Sequence, residues 1–298
     1  MKVLLVGVCK NIENTIEIVR RGFEKLASKI DCKGIFYENN STDRTAYLLK
    51  EWAIEDSRVI CITEVISNEE LLRNGFARTW DNLPCRMEVI AMARNKLMIQ
   101  IEREEYTDID YVIMIDMDNP IILPVDSIIN TLESHKDFDA LICKGGNSGD
   151  IYDTYAFRDG RHPFGPEYIG ETFWNHGYQD SIKRSIQGKN DLVPVYSAFN
   201  GMAIFKRTSI IGIRYSAIPT KALDNLYRTY KNEYPQQIET HIEGRLQGVY
   251  LFGKYGIWYR NNCGYNFPVV CEHVTFFLEM RERGFNKIYI CPQLEWLW

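Results

Sequence analysis

The amino-acid sequence predicts an α/β protein with a mostly parallel sheet and helices on both faces. Strand-like and helix-like patterns alternate from the first residue onward, which is the order that builds such a sheet. Residues 112–115 are apolar on both alternating faces, as expected of a strand in the middle of a sheet. Acidic side chains follow predicted strands at their carboxyl ends, where sheets of this kind bind ligands.

The first half of the chain alternates regularly. Its predicted strands are 2–8, 34–37, 58–64, 112–115 and 138–143. Helical spacing of apolar residues places helices after residues 14 and 41 and over 86–104 and 125–135, and residues 65–85 are predicted to form a loop that carries a helical turn. Asn14 and Glu17 form a capping-box pattern at the start of the first helix. Ser41 is a good N-cap for the second helix.

The pattern changes after residue 145. Residues 145–190 are rich in Gly, Asp and aromatic residues and have little periodicity, and long irregular stretches in compact proteins are often functional. The remaining predicted elements are a strand at 196–205, partial helix within 217–250, a helix at 270–283 and a strand at 287–291. No linker separates the halves, so the sequence predicts one domain, 1–298.

The composition excludes several classes of protein. A net charge of −5 argues against nucleic acid as a partner. No run approaches the roughly 18 apolar residues of a membrane span, and the N-terminus lacks a signal-peptide cleavage site. The eight cysteines have no paired spacing, which indicates reduced thiols rather than disulfides or a zinc site. These features predict a cytoplasmic protein.

Two carboxylates, Asp116 and Asp118, end the central strand. Residues two apart along a strand share a face, so both acids are expected on one side. Acids in that place are costly unless a cation lies between them, and a divalent cation that also holds a diphosphate meets this need. The alternative is a polar turn whose acids cap backbone groups. Glu38 ends a neighbouring predicted strand and favours the metal–nucleotide interpretation.

These motifs together resemble a known family. Across about the first 145 residues the chain resembles the nucleotide-sugar half of a GT-A glycosyltransferase. The motifs are Glu38 at a strand end, Asn-Ser-Thr-Asp-Arg-Thr at 40–45, Ala93-Arg94-Asn95, and Asp-x-Asp at 116–118. The second half resembles the capsule-associated α-1,3-mannosyltransferase-like group. It carries Ile-Tyr-Asp-Thr-Tyr-Ala-Phe-Arg-Asp at 151–159, Ser-Ala-Phe-Asn-Gly-Met-Ala-Ile at 197–204 and Cys-Glu-His-Val at 271–274.

The resemblance implies a GT-A fold with a Rossmann-like sheet and a metal-dependent hexosyl- or pentosyltransferase. The donor would be GDP-mannose or a UDP-sugar, bound by residues 1–145, and the acceptor a glycan hydroxyl, bound by the irregular half at 146–298. Fungal members of the group are expected to carry a membrane anchor, and this sequence shows none. The compartment and the acceptor therefore do not carry over.

The resemblance also implies roles on the donor side. Asp118 would bind Mn²⁺ or Mg²⁺, and Asp116 would contact the donor ribose or sugar, or the metal through water. Glu38 would bind the base or ribose. Asp43 is a second nucleotide candidate, or an acid that only favours the helix dipole. Arg94 needs an anionic partner, which is either phosphate or Asp116.

On the acceptor side, Glu272 would face the acceptor hydroxyl. It would be the general base of an inverting enzyme, or would orient the acceptor in a retaining one. His273 either completes the metal shell or is structural. The candidates for acceptor or donor-sugar contacts are Asp153, Arg158 and Asp159, with Tyr155 and Trp174 as stacking residues.

Two other functions compete with this interpretation. A sugar nucleotidyltransferase shares the fold but needs a Gly-rich phosphate-binding loop, and the residues after the first strand, 8–11, contain no Gly. A catalytically silent scaffold could keep the fold, but buried charges without a use are costly. Binding of metal and nucleotide without consumption of donor would favour the scaffold.

Overall fold

The structure is a computed structural model that describes residues 1–76, 83–146, 151–169, 173, 176–231, 249–252, 256–259 and 269–297. The first five strands are β1 (Lys2–Cys9), β2 (Asp31–Asn39), β3 (Val59–Glu64), β4 (Tyr111–Asp116) and β5 (Ala140–Gly145). The others are β6 (Val193–Pro194), β7 (Met202–Lys206), β8 (Val249–Phe252), β9 (Gly256–Tyr259) and β10 (Ile288–Trp296).

The helices of the first half are α1 (Ile16–Ala27), α2 (Thr45–Glu55), α3 (Asn68–Arg73), α4 (Arg86–Ile101) and α5 (Val125–Ser134). Those of the second half are α6 (Pro166–Ile169), α7 (His176–Arg184), α8 (Lys221–Lys231) and α9 (Glu272–Glu282). Short 3₁₀ turns lie at Glu104–Tyr106 and Arg207–Ser209. Within the described residues, no helix is both long and apolar enough to cross a membrane.

One eight-stranded sheet carries the fold, in the order β3-β2-β1-β4-β7-β5-β10-β6. Strand β1 pairs in parallel with β2 and β4, β2 with β3, and β5 with β10. Strand β7 lies antiparallel between β4 and β5, and β6 pairs antiparallel with β10. The carboxyl ends of β1, β2 and β4 therefore meet at one edge, as the sequence predicts.

The sheet is buried on both faces. Within β1, Leu4 and Val6 belong to one core cluster and Val3 and Leu5 to the other, because neighbouring residues of a strand point to opposite faces. Apolar residues of α4, α8 and α9 cover the first face, and those of α1, α2 and α5 cover the second. The prediction of a mostly parallel α/β sheet with helices on both faces is confirmed.

Both predicted helix caps are wrong. Helix α1 begins after Thr15, whose side chain makes no capping bond, and α2 begins after Arg44. Ser41 is used elsewhere, since its Oγ accepts a hydrogen bond from the backbone N–H of Asn11 at 3.0 Å. Bonds between the loops after β1 and β2 thus replace the local caps.

Element bounds in the second half also differ from the prediction. The strand expected at 196–205 begins only at Met202, because the chain first turns at Gly201, which has a φ of 82°. The segment 217–250 contributes α8 and the start of a β8–β9 hairpin, and its residues 232–248 lie outside the described ones. The last strand is longer than predicted and ends at Trp296.

Candidate active site

Asp116 is the last residue of β4, and a turn at 117–118 follows it. The backbone N–H of Asp116 donates to the carbonyl of Gly201 at 2.8 Å. In the turn, Met117 is buried and Asp118 is exposed. Gly7 makes room for Met117, because a Cβ on Gly7 would lie 2.6 Å from the Met117 Cγ. The buried Met117 side chain therefore anchors the turn that exposes Asp118.

Arg94, in the middle of α4, joins two acids from distant parts of the chain. Its Nε donates to Glu272 Oε1 at 3.0 Å, and its Nη2 donates to Asp116 Oδ1 at 3.2 Å. The rings of Phe199 and Tyr215 lie 5.0 and 5.8 Å from the guanidinium carbon, within cation–π range. Asp116, one of the two anionic partners expected for Arg94, pairs with it in the structure, and so does Glu272.

The surroundings of Asp116 shift the pKa of its carboxyl group. Burial raises the pKa of Asp116 to about 6, against the effect of the Arg94 guanidinium and reinforced by the charge of Asp118. The hydroxyl of Tyr152 donates to Asp116 Oδ2 at 3.2 Å. A carboxyl group with a shifted pKa in such a setting is a mark of functional sites.

A turn at 153–156 brings a further acid to the same place. The Asp153 N–H donates to Asn200 Oδ1 at 3.4 Å, and the Asp153 carboxylate accepts from the Ala156 N–H at 3.1 Å. Burial raises the pKa of Asp153 to about 7, and the charges of Glu272 and Asp116 add to the rise. We call Asp116, Asp118, Asp153 and Glu272, with Arg94 among them, the acidic cluster.

Tyr155 and His273 lie on the side of this cluster where Glu272 begins α9. The Tyr155 hydroxyl donates to the carbonyl of Val269 at 2.9 Å, three residues before Glu272. The His273 ring stacks on Phe199 at 3.8 Å between centroids, and its Nε2 lies 3.6 Å from Glu272 Oε1. Among the residues that the structure describes, neither ring nitrogen of His273 has a hydrogen-bond partner. Burial, with the charge of Arg94, lowers the pKa of His273 well below its ordinary value, so the imidazole is neutral.

The side chains present fit a divalent cation, although the described residues contain no group of three or more His, Cys, Asp or Glu with metal-binding geometry. Carboxylate oxygens such as those of Asp116 and Asp118 suit Mg²⁺ or Mn²⁺. A neutral imidazole with unpartnered nitrogens, as in His273, is the form that binds transition metals. An ion held here would take its other ligands from a diphosphate or from water.

The two nucleotide candidates, Glu38 in β2 and Asp43 in the loop that follows it, hold backbone groups. Glu38 is buried, and its Oε1 accepts from the Ser41 N–H at 2.6 Å. Asp43 accepts from the N–H groups of Glu13 and Thr45 at 3.1 and 2.9 Å. Burial acts to raise the pKa of Asp43, but the hydrogen bonds from Thr45 and Glu13 outweigh it and lower the pKa. Both acids therefore order the loops at the edge of the sheet where β1, β2 and β4 end.

Two predicted substrate residues have partners outside the acidic cluster, and a third is not described. The side chain of Arg158 is fully buried and pairs with Glu167 at 2.8 Å. Asp159 Oδ1 lies 3.0 Å from His162 Nδ1. Trp174 lies outside the described residues.

Sequence reasoning missed three contacts of the cluster. Tyr152 lies next to Asp153 in the motif at 151–159, so the motif itself points to it. Phe199 also lies in a recognised motif, but apolar rings are usually assigned to packing. Tyr215 carries no sequence signal, because it reaches Arg94 only through the tertiary fold.

Comparison with known proteins gives a family match. The family model described as cryptococcal mannosyltransferase 1 matches residues 31–232, more than half of the chain. A search of curated proteins finds no significant match.

Solved structures of glucosyl-3-phosphoglycerate synthase from Mycobacterium tuberculosis are similar to the chain. The complex with Mn²⁺, UDP and phosphoglyceric acid is 16% identical over 78% of this chain, with a TM-score of 0.38. The complex with Mn²⁺, UDP-glucose and glycerol 3-phosphate is also 16% identical over 78% of this chain, with a TM-score of 0.39. The chain spans 64% and 66% of the synthase chain in these two structures.

Proposed function

Because the chain belongs to the cryptococcal mannosyltransferase 1 family of glycosyltransferases, we propose that it moves a sugar from a nucleotide-diphosphate donor to a glycan hydroxyl with the help of a divalent metal. The donor is GDP-mannose or a UDP-sugar. The observation that carries the proposal is the buried guanidinium of Arg94, which joins Asp116 at the end of β4 to Glu272 at the start of α9. This contact brings the Asp-x-Asp motif and the second-half motif into one site.

The donor lies, in this proposal, across the carboxyl ends of β1, β2 and β4. Glu38 and Asp43 order the loops that face the base and ribose. Asp116 faces the ribose or the sugar. These placements follow the general rule that ligands of open α/β sheets bind beyond the strand ends.

Asp118 and His273 are the proposed protein ligands of Mn²⁺ or Mg²⁺. Asp118 is exposed at the turn, and His273 has unpartnered nitrogens. When bound, the ion supplies Lewis-acid stabilisation of the charge that develops on the departing nucleotide diphosphate.

Glu272 and Asp153 are the proposed acceptor-side groups. The Arg94 Nε–H fixes Glu272 Oε1, and the Ala156 N–H fixes the Asp153 carboxylate. Fixed carboxylates can orient a sugar hydroxyl by accepting its hydrogen bond, or remove its proton during attack. The first role serves a retaining enzyme and the second an inverting one. Tyr155 completes this side of the site.

Thermal unfolding with GDP or UDP, each with and without Mn²⁺, tests the proposal. A ligand that binds only the folded state stabilises it by about 2.7 kcal/mol at a hundredfold excess over its dissociation constant. We expect a metal-dependent shift with one nucleotide, lost in Asp118→Asn. Asp126→Asn is the matched control, because Asp126 is an exposed acid that pairs with the surface residues Lys25 and Lys29. Folded wild-type protein that shifts with neither nucleotide would contradict the proposal.

A further inference from the structure

Arg158 is a buried cation whose bonds go to the turn that carries Asp153 and Tyr155. Its side chain is 0% exposed. Arg158 Nη1 donates to the carbonyls of Tyr155 at 3.0 Å and Phe157 at 2.6 Å. The Arg158 backbone N–H also donates to the Ser197 carbonyl at 2.8 Å. The buried Arg158 thus holds two backbone carbonyl groups of this turn from the protein interior.

Glu167 and Tyr227 hold Arg158 in place. Glu167 Oε1 accepts from Arg158 Nη2 at 2.8 Å and also from the Tyr227 hydroxyl. That hydroxyl in turn accepts from the Gly165 N–H at 3.2 Å. A Cβ on Gly165 would lie 1.7 Å from Arg158 Nη2 and 2.3 Å from Glu167 Oε2. The site therefore requires glycine, and its close packing leaves the guanidinium little freedom to move.

The turn reaches the acidic cluster at its other end. The Asp153 carboxylate accepts from the Ala156 N–H within the turn, and the charges of Glu272 and Asp116 act on Asp153. The Tyr155 hydroxyl bonds to Val269, just ahead of Glu272. Movement of the carbonyls that Arg158 holds would therefore move Asp153 and Tyr155 relative to Glu272.

We propose that Arg158, Glu167 and Tyr227 are positioning residues that hold the turn 153–157 against the acidic cluster, and so set where Asp153 and Tyr155 meet the acceptor. The acceptor part of this inference rests on the proposed function. Arg158 contacts no substrate in this account and acts through the turn. Its buried pair with Glu167 thus has a purpose beyond stability, since a buried ion pair is in itself weak support for a fold.

The test is the double variant Arg158→Met with Glu167→Gln. The variant removes both charges together and so avoids the uncompensated buried charge that makes removal of one partner of such a pair strongly destabilising, and it is expected to fold. It leaves the carbonyls of Tyr155 and Phe157 without their donor. Arg20→Met with Glu55→Gln is the matched control, because it removes a surface pair between α1 and α2. Tyr227→Phe is a milder variant that removes a single hydroxyl from the network.

Hydrogen exchange is the first readout, and it does not depend on activity. Amide protection of the peptide covering 153–158 is expected to fall in the double variant and in Tyr227→Phe, while protection of β1 and β4 stays unchanged. Unchanged protection of 153–158 in both variants would overturn the inference. So would a uniform loss over the whole chain in Tyr227→Phe.

Nucleotide binding and sugar transfer are the second readout, with GDP or UDP plus Mn²⁺ and with methyl α-D-mannoside as the acceptor probe. We expect nucleotide affinity within about twofold of wild type, since the hydrogen bonds described for Arg158, Glu167 and Tyr227 include none to Glu38, Asp43 or Asp118. The kcat of transfer should fall by about a hundredfold, the scale expected for a misplacement of about 1 Å. A folded double variant with wild-type kcat and KM would refute the positioning role. Wild-type protein that binds no nucleotide would refute the proposed function instead, and hydrogen exchange would still decide whether the network holds the turn.

Discussion

Replacement of Arg94 by Met gives the most informative prediction about the acidic cluster. Arg94 is 4% exposed, and its guanidinium lies 3.0 Å from Glu272 Oε1 and 3.2 Å from Asp116 Oδ1. Methionine fills a similar volume but carries no charge. Arg94→Met therefore leaves two acids near each other, and near Asp118, without the cation that separates them.

The expected loss of stability follows from these contacts. Opposite charges about 4 Å apart attract by about 4 kcal/mol at an effective dielectric constant near 20, and Arg94 has two such contacts. The cost of burying the guanidinium offsets much of this attraction. Removing one partner of a buried pair nevertheless costs about 3–5 kcal/mol, because the other charge remains buried and uncompensated. We expect a loss of that size for Arg94→Met at pH 7.

Urea denaturation measures this loss as a change in midpoint at constant slope. Arg103→Met is the matched control, because Arg103 pairs with Glu105 on the surface at 55% and 47% exposure, and such pairs contribute at most about 1 kcal/mol. Adding Asp116→Asn to Arg94→Met should recover part of the loss, with a coupling energy of about 1–3 kcal/mol between neighbouring sites. A loss below about 1 kcal/mol, or strict additivity of the two changes, would refute the idea that Arg94 holds these acids together.

Two further predictions concern stability away from the cluster. The Arg214 side chain donates two hydrogen bonds to Glu102, at 2.6 and 2.7 Å, and these bonds lower the pKa of Glu102. A lowered pKa in the folded state gives stability that is present above the unfolded value, near 4.5, and is lost as the pH falls through the folded pKa. Glu102→Gln should therefore lower the free energy of unfolding by about 1 kcal/mol at pH 7 and by almost nothing at pH 2. Urea titrations of the wild type and the variant at both pH values measure this difference. An equal loss at both pH values would contradict the lowered pKa of Glu102. Gly165→Ala should lower the free energy of unfolding by about 1–3 kcal/mol through overpacking, measured by the same urea titrations. Gly160→Ala is the control and should cost clearly less, because its Cβ would lie no closer than 3.2 Å to Tyr196 Oη. Equal costs for the two variants would show that the contact of Gly165 with Arg158 is not tight.

The sequence predicts the central strand and its acids well, because burial on both faces leaves a readable apolar run. Val112 to Ile115 are buried and Asp116 follows them. The helix caps fail for a different reason. Ser41 has the chemistry of a cap, but the nearby loop after β1 offers its Oγ another donor, Asn11. Tertiary contacts of this kind leave no local pattern.

Arg158 illustrates the limit of site prediction from sequence. A charged residue in a polar, irregular stretch is by default exposed, so the sequence suggests a substrate contact. Its partner Glu167 lies nine residues away in α6, and Tyr227 comes from the distant helix α8. No spacing rule joins these three residues. Their burial follows only from how 151–169 packs against α8.

Sugar transfer itself is the most direct test of the proposed activity. Protein with Mn²⁺, methyl α-D-mannoside and either GDP-mannose or UDP-glucose would be analysed for a new disaccharide by mass spectrometry. We expect product from one donor with wild type, none with Asp118→Asn, and product at the wild-type rate with the surface control Asp126→Asn. Release of nucleotide and product at equal rates in wild type and Asp118→Asn would contradict the claim that the acidic cluster carries the reaction, as would folded wild-type protein that consumes neither donor.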